Sequence, residues 1–156
     1  MTADATAVLT THSPDETIRL GKRLASLLSP GDVLALVGPL GAGKTLLVKG
    51  IALGLEVNDP REVTSPTFVL MNIYEGRLRL HHFDAYRLQS AAQMFEIGCE
   101  EAFYGDGVSV IEWADRVPGC LPAEHIRIEI EITGESDRCI TLSAVGERGR
   151  SFVDKL

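Results

Sequence analysis

The sequence predicts an α/β domain in which a mixed β-sheet is flanked by helices. Three observations lead there. A short apolar run, Asp32–Val37, passes into a glycine-rich turn and then into a helical segment. Val108–Glu112 is a second apolar run of strand length, as expected of a strand buried on both faces. Ile126, Ile128, Ile130 and Ile132 alternate with Arg127, Glu129 and Glu131, the period-two pattern of a half-exposed strand.

In chain order, the first helix starts at Ser13, which can cap it. Pro14 suits the first turn and Glu16 completes a capping box. Leu20, Leu24, Leu27 and Leu28 form one apolar stripe that Pro30-Gly31 ends. After the strand over 32–37 and the glycine turn, a helix runs from about Lys44 to Leu53 and stops near Gly54. Thr64-Ser65-Pro66-Thr67 reads as a loop, because the residue before proline avoids the helical region. Phe68–Tyr74 and Leu78–Asp84 flank Glu75-Gly76 as a β-hairpin. A helix fits between Ser90 and Phe103, although Gly98 weakens it. Past Glu112, the isoleucine strand turns at Gly134 into Ile140, Leu142 and Ala144. No repeat or long linker divides the chain. Residues 1–145 therefore read as one domain and 146–156 as a tail, mobile or ordered only with a partner.

The chain has 156 residues, 45% of them apolar and 24% charged. It can bury a core without disulfide or metal staples, and its composition is not that of a disordered protein. Acidic side chains outnumber basic ones by 22 to 15, a net charge of −7. That balance argues against a protein that grips nucleic acid by itself, which needs clustered Lys and Arg. No apolar run approaches the roughly 20 residues of a membrane span, and the first residues lack a signal peptide's basic and apolar regions. Cys99, Cys120 and Cys139 are odd in number and far apart, so they read as free thiols. A cytoplasmic protein is expected.

Gly38-Pro39-Leu40-Gly41-Ala42-Gly43-Lys44-Thr45 matches G-x-x-x-x-G-K-[ST] in full, between a strand and a helix. Glycines let the backbone curl so that N–H groups point at phosphate oxygens, and the helix N-terminus adds donors and a positive dipole end. Lys44 can reach the β- and γ-phosphates and the Thr45 hydroxyl can ligand Mg²⁺. Gly41, Ala42, Gly43, Lys44, Thr45 and Leu46 are thus the expected nucleotide contacts of a P-loop NTPase domain. An N-K-x-D guanine reader is absent, which favours ATP.

Mg²⁺ on a nucleotide takes only one or two protein carboxylates. Glu112 ends an apolar strand, the setting for a metal acid, bound directly or through water. Asp84 ends a more polar strand, where metal, second-sphere and water-positioning roles are all open. His81 and His82 point to opposite faces of a strand and cannot converge on one ion, so a structural role is expected for both. Tyr86, Arg87 and Trp113 can serve either pocket or core. A hydroxyl of Thr64–Thr67 can touch a γ-phosphate or its metal and order the loop, as in nucleotide switches, although taken alone the segment reads as a plain Ser/Pro turn.

GPLGAGKT at 38–45, TSPTF at 64–68, HHFDAYRL at 81–88 and IEW at 111–113, preceded by SPDET at 13–17, resemble in order and spacing the TsaE (YjeE) family of tRNA threonylcarbamoyladenosine biosynthesis. The resemblance extends to about Val145. It implies a Mg²⁺-dependent ATPase assisting transfer of a threonylcarbamoyl group to N6 of adenosine 37, in tRNAs reading codons that begin with adenine. A TsaD-like transferase and its TsaB-like partner perform that transfer, and the ATPase joins them in a regulatory or reset role, meeting tRNA only through the complex. By the resemblance Thr45 and Glu112 serve the metal, and Asp84 is needed for activity. TSPTF, with Thr67, is a nucleotide-sensitive switch, while Thr11 and Arg138 lie near the nucleotide. Lys44, Asp84 and Thr67 are the candidate catalytic residues. Pro39 stands where an acidic residue is common, with little consequence because that position offers its backbone.

Two other readings share the P-loop. A small-molecule or nucleoside kinase would bring an arginine-rich lid, whereas Arg77, Arg79 and Arg87 are scattered around a hairpin. A regulatory module would bind ATP without hydrolysing it. No arginine finger is evident, so hydrolysis is expected to be slow alone and faster with partners.

Overall fold

The computed structural model describes residues 5–59, 63 and 71–156. Its elements run β1 Thr6–Thr11, α1 Pro14–Ala25, β2 Val33–Val37, α2 Lys44–Gly54, β3 Met71–Tyr74, β4 Leu80–Asp84, α3 Ala91–Ile97 and α4 Cys99–Phe103. β5 Val108–Glu112, β6 His125–Ile132, β7 Arg138–Val145 and α5 Glu147–Asp154 follow, with 3-10 turns at Ala114–Arg116 and Pro118–Cys120. Among the described residues the strands make one seven-stranded sheet, ordered β1-β7-β6-β2-β5-β4-β3. β2 lies between β5 and β6 and is parallel to both, and β4 is parallel to β5. The outer pairs are antiparallel. The mixed sheet read from the sequence is present.

Pleating sends alternate residues of the central strands to two cores. Leu34 and Leu36 join Val110, Ile128, Leu24 and Ile51 on the face covered by α1 and α2. Val33 and Ala35 join Ile111, Phe83, Met94 and Phe103 on the face covered by α3 and α4. The pairing aligns Leu36 with Glu112 and Asp84 with Glu112, so β2, β4 and β5 end together. Open α/β sheets gather ligands at such carboxyl ends.

Helix α1 starts as expected, with the Ser13 hydroxyl accepting from the Glu16 N–H at 3.1 Å and the Glu16 carboxylate accepting from the His12 N–H at 3.0 Å. It crosses α2 closely because both contribute glycine. A Cβ on Gly50 would lie 2.1 Å from the Ile18 carbonyl, and one on Gly21 2.5 Å from that of Leu47. This contact sets where the first turn of α2, and with it Lys44 and Thr45, stands against the sheet.

Several elements differ from the sequence reading. β1 was not expected; its exposed face carries Val8, which blurs the apolar–polar alternation. The helix expected over 90–103 is two helices, broken where Gly98 adopts φ 98° as the cap between them. α1 ends at Ala25 rather than near Leu28, and tighter bonds from Leu27 to Leu24 and from Leu28 to Ala25 finish the turn. The hairpin is present with Tyr74 opposite Leu80, residues 68–70 of its expected first strand lying outside the described residues. The stretch read as a tail forms α5, whose Phe152 and Val153 enter the first core. Arg148 ties it to the turn before β2 through Asp32 Oδ1 at 2.8 Å and the Pro30 carbonyl. Cys99, Cys120 and Cys139 are free, and burial pushes the Cys120 thiol up to about 12. Among the described residues, no helix is long and apolar enough to cross a membrane.

Candidate nucleotide-binding site

The loop 38–45 joins β2 to α2, and its glycines answer different demands. A Cβ on Gly38 would lie 2.7 Å from the Ile130 carbonyl of β6, so the first glycine lets the loop leave the sheet beside that strand. Gly41 and Gly43 have φ of 81° and 104°, in the left-handed region that side chains disfavour. Gly43 caps α2 with no side-chain hydrogen bond, so no capping side chain occupies the donors of the first turn. Arg138 on β7 braces the loop from outside, donating from Nε to the Ala42 carbonyl at 3.0 Å and from a terminal nitrogen to that of Gly41 at 3.2 Å.

Lys44 is 5% exposed. Its Nζ donates to the Gly38 and Pro39 carbonyls at 2.6 and 3.0 Å and sits 3.8 Å from the centre of the Trp113 ring. Burial pulls its ammonium below the ordinary lysine range, while Glu112, Asp115 and Asp84 favour its charged form. Trp113 reaches this place because it turns out of β5 with φ 59°, unusual for a residue with a side chain. Its indole lies 5.0 Å from the Tyr86 ring, and the Arg116 guanidinium stands over Tyr86 at 5.0 Å. Trp113 thus stands at the site and also packs against the second core.

The two acids lie side by side at the ends of β4 and β5. Glu112 is 2% exposed, accepts a hydrogen bond from the Thr45 hydroxyl at 3.0 Å through Oε1, and meets His82 Nε2 at 2.5 Å through Oε2. Asp84 is half-buried and accepts from the Tyr86 N–H at 2.9 Å. Sequence alone points to no more than a structural role for His82. Its partnership with Glu112 depends on strand register, which the local pattern does not show.

Thr11 is buried, and its hydroxyl pairs with that of Thr17 at 2.8 Å. Thr17, rather than Thr11, lines the small pocket beside the loop, with Ser13, Gly41, Gly43, Leu46 and Arg138. The switch segment 64–68, including Thr67, lies outside the described residues.

The residues present fit a Mg²⁺-nucleotide. Adjacent ligands of an octahedral ion with bonds of about 2.0–2.1 Å lie about 2.9 Å apart. The Thr45 hydroxyl and Glu112 Oε1 are 3.0 Å apart. Hard oxygen donors from one hydroxyl and one carboxylate suit an ion that keeps most of its waters. Backbone donors at the α2 terminus and the Lys44 ammonium suit phosphate.

A sequence profile described as "Threonylcarbamoyl adenosine biosynthesis protein TsaE" matches residues 11–140. A tRNA threonylcarbamoyladenosine biosynthesis protein TsaE from Treponema pallidum is 46% identical over 132 residues, covering 85% of this chain and 96% of its own. The protein so named from Bacillus subtilis is 42% identical over 147 residues, covering 94% and 90%. The crystal structure of YdiB from Bacillus subtilis aligns with a TM-score of 0.82 at 36% identity, over 99% of this chain and 96% of that one.

Proposed function

The chain belongs to the TsaE family, and on that premise we propose that it is a Mg²⁺-dependent ATPase, converting ATP to ADP and phosphate. Its pathway is tRNA threonylcarbamoyladenosine biosynthesis. It acts there in the cytoplasm with a TsaD-like transferase and its TsaB-like partner, regulating or resetting the complex that modifies adenosine 37. The observation that carries the ATPase reading is the meeting of Lys44 and Thr45, on one loop, with Glu112 on the neighbouring strand. The charge of −7 supports a protein that reaches tRNA through partners.

In this reading Gly41 to Leu46 cradle the phosphates and Lys44 exchanges its loop carbonyls for phosphate oxygens. Thr45 and Glu112 would hold the ion, which when bound would offset the negative charge of the phosphates. Asp84, on the open side, serves turnover. Thr67, by the family resemblance, senses the nucleotide state when the complex is assembled. Arg138 and Thr17 border the rest of the nucleotide.

Phosphate release at saturating Mg-ATP tests the proposal. It should be slow for the isolated chain and rise as transferase and partner are titrated in, with Thr67→Ala blunting the rise. Fast turnover indifferent to those proteins, or a phosphorylated acceptor in place of free phosphate, would overturn it.

A further inference from the structure

We propose that His82 is a positioning residue that fixes the Glu112 carboxylate and so sets how strongly the site couples nucleotide binding to Mg²⁺. The inference rests on the reading of Lys44, Thr45 and Glu112 as a Mg²⁺-nucleotide site. Three observations carry it. First, β4 and β5 are parallel with His82 opposite Val110 and Asp84 opposite Glu112, which puts His82 diagonal to Glu112 on one face of the sheet. Second, Glu112 divides its oxygens: Oε1 accepts from Thr45 and Oε2 meets His82 Nε2 at 2.5 Å, the latter pair wholly enclosed with His82 at 0% exposure. The last torsion of a glutamate is broad and two-fold, so one bond to an exposed-side hydroxyl leaves its plane free to turn, whereas two bonds from opposite sides do not. Third, His82 Nδ1 is buried without a hydrogen-bond partner among the described residues.

That orphan atom argues against a purely packing role. An imidazole buried beside Leu80 and Val110 costs more than a leucine would, and among the described residues its one hydrogen-bond partner is Glu112. The tautomer with its proton on Nε2 donates to the carboxylate and leaves only a lone pair unpaired. His81, one residue earlier, faces the other side and lines a separate groove with Met71, Arg79 and Glu101. The pair of histidines is therefore not one site. His82 alone belongs to the acid that serves the metal.

Outer partners of metal ligands typically change metal affinity by about 10- to 100-fold. The test is calorimetry with ADP, in Mg²⁺ and in EDTA, on the full chain. For His82→Leu, which keeps bulk and loses the donor, the ratio of the two dissociation constants should fall at least about 10-fold while the EDTA value stays near wild type. His82→Gln, whose amide reaches the ring's Nε2 position, should recover most of the ratio. His82→Asn, too short to reach Glu112, should not, and it decides the matter if the leucine variant does not fold. An unchanged ratio in His82→Leu and His82→Asn, or equal losses in Mg²⁺ and EDTA, would overturn the inference while leaving the metal site standing. A wild-type protein with equal affinity in both conditions would overturn the metal site and this inference together.

Discussion

Glu112 and Asp84 are register partners at the ends of adjacent strands, yet they differ in burial and in partners. Glu112 is enclosed, with each oxygen engaged by a different element, Thr45 on α2 and His82 on β4. Asp84 is half-buried and accepts a hydrogen bond from the backbone N–H of Tyr86, two residues on in the turn that leaves β4. The same functional group is therefore fully enclosed in one place and only half-buried in the other. Burial and partners, not residue type, divide the work. The fixed acid suits an ion held in one position, and the open acid suits a role in turnover.

Removing the charge that both acids face has the largest effect. Lys44→Ala deletes a charge-assisted phosphate contact of about 1.5–3 kcal/mol, so nucleotide affinity should drop roughly 10- to 150-fold. If Lys44 acts on phosphate, as proposed, rather than on the ion, calorimetry should find the loss in Mg²⁺ and in EDTA alike. A loss confined to Mg²⁺ would place Lys44 with Glu112.

Displacing the helix that carries Thr45 sharpens the comparison from the frame. Gly50→Ala puts a Cβ against the Ile18 backbone, which must move. Overpacking of this kind costs about 1–3 kcal/mol, or roughly 2–12 °C in melting temperature for a domain of this size. Thermal unfolding reads the cost directly, and an unchanged midpoint would show that α1 and α2 are not tightly seated.

The smallest effect lies away from both acids. His12 Nδ1 meets Asp137 at 2.9 Å on the exposed rim, and the hydrogen bond and charge of Asp137 raise the imidazole above its ordinary value. A raised value means that the protonated form is favoured in the folded chain. Its stabilisation is therefore full below the unfolded value of about 6.5 and disappears as pH rises through the folded one. Melting temperatures of wild type and His12→Ala should differ slightly at pH 5.5 and converge by pH 8.5. A gap that widened with pH would contradict the pairing.

What the sequence made legible follows from how local each signal is. The phosphate loop is eight consecutive residues between a strand and a helix, and it folds as its motif requires. Glu112 was readable because it ends an apolar run, and Ser13 because its cap lies three residues from Glu16. The link from His82 to Glu112 spans 30 positions and exists only through the β4–β5 register. Trp113 over Lys44 depends on one positive φ after a strand, which tryptophan does not advertise. α5 carries only Phe152 and Val153 as buried anchors among charged neighbours, too few to show a helical stripe.

The division between the two acids is tested most directly by measuring ADP affinity in Mg²⁺ and in EDTA for wild type, Glu112→Gln and Asp84→Asn, with phosphate release recorded for the same proteins. Glu112→Gln should lose most of the gain that Mg²⁺ gives to wild type. Asp84→Asn should keep that gain and lose most of its turnover. Retained Mg²⁺ dependence in Glu112→Gln together with its collapse in Asp84→Asn would show that the less buried acid holds the ion, and would contradict the account.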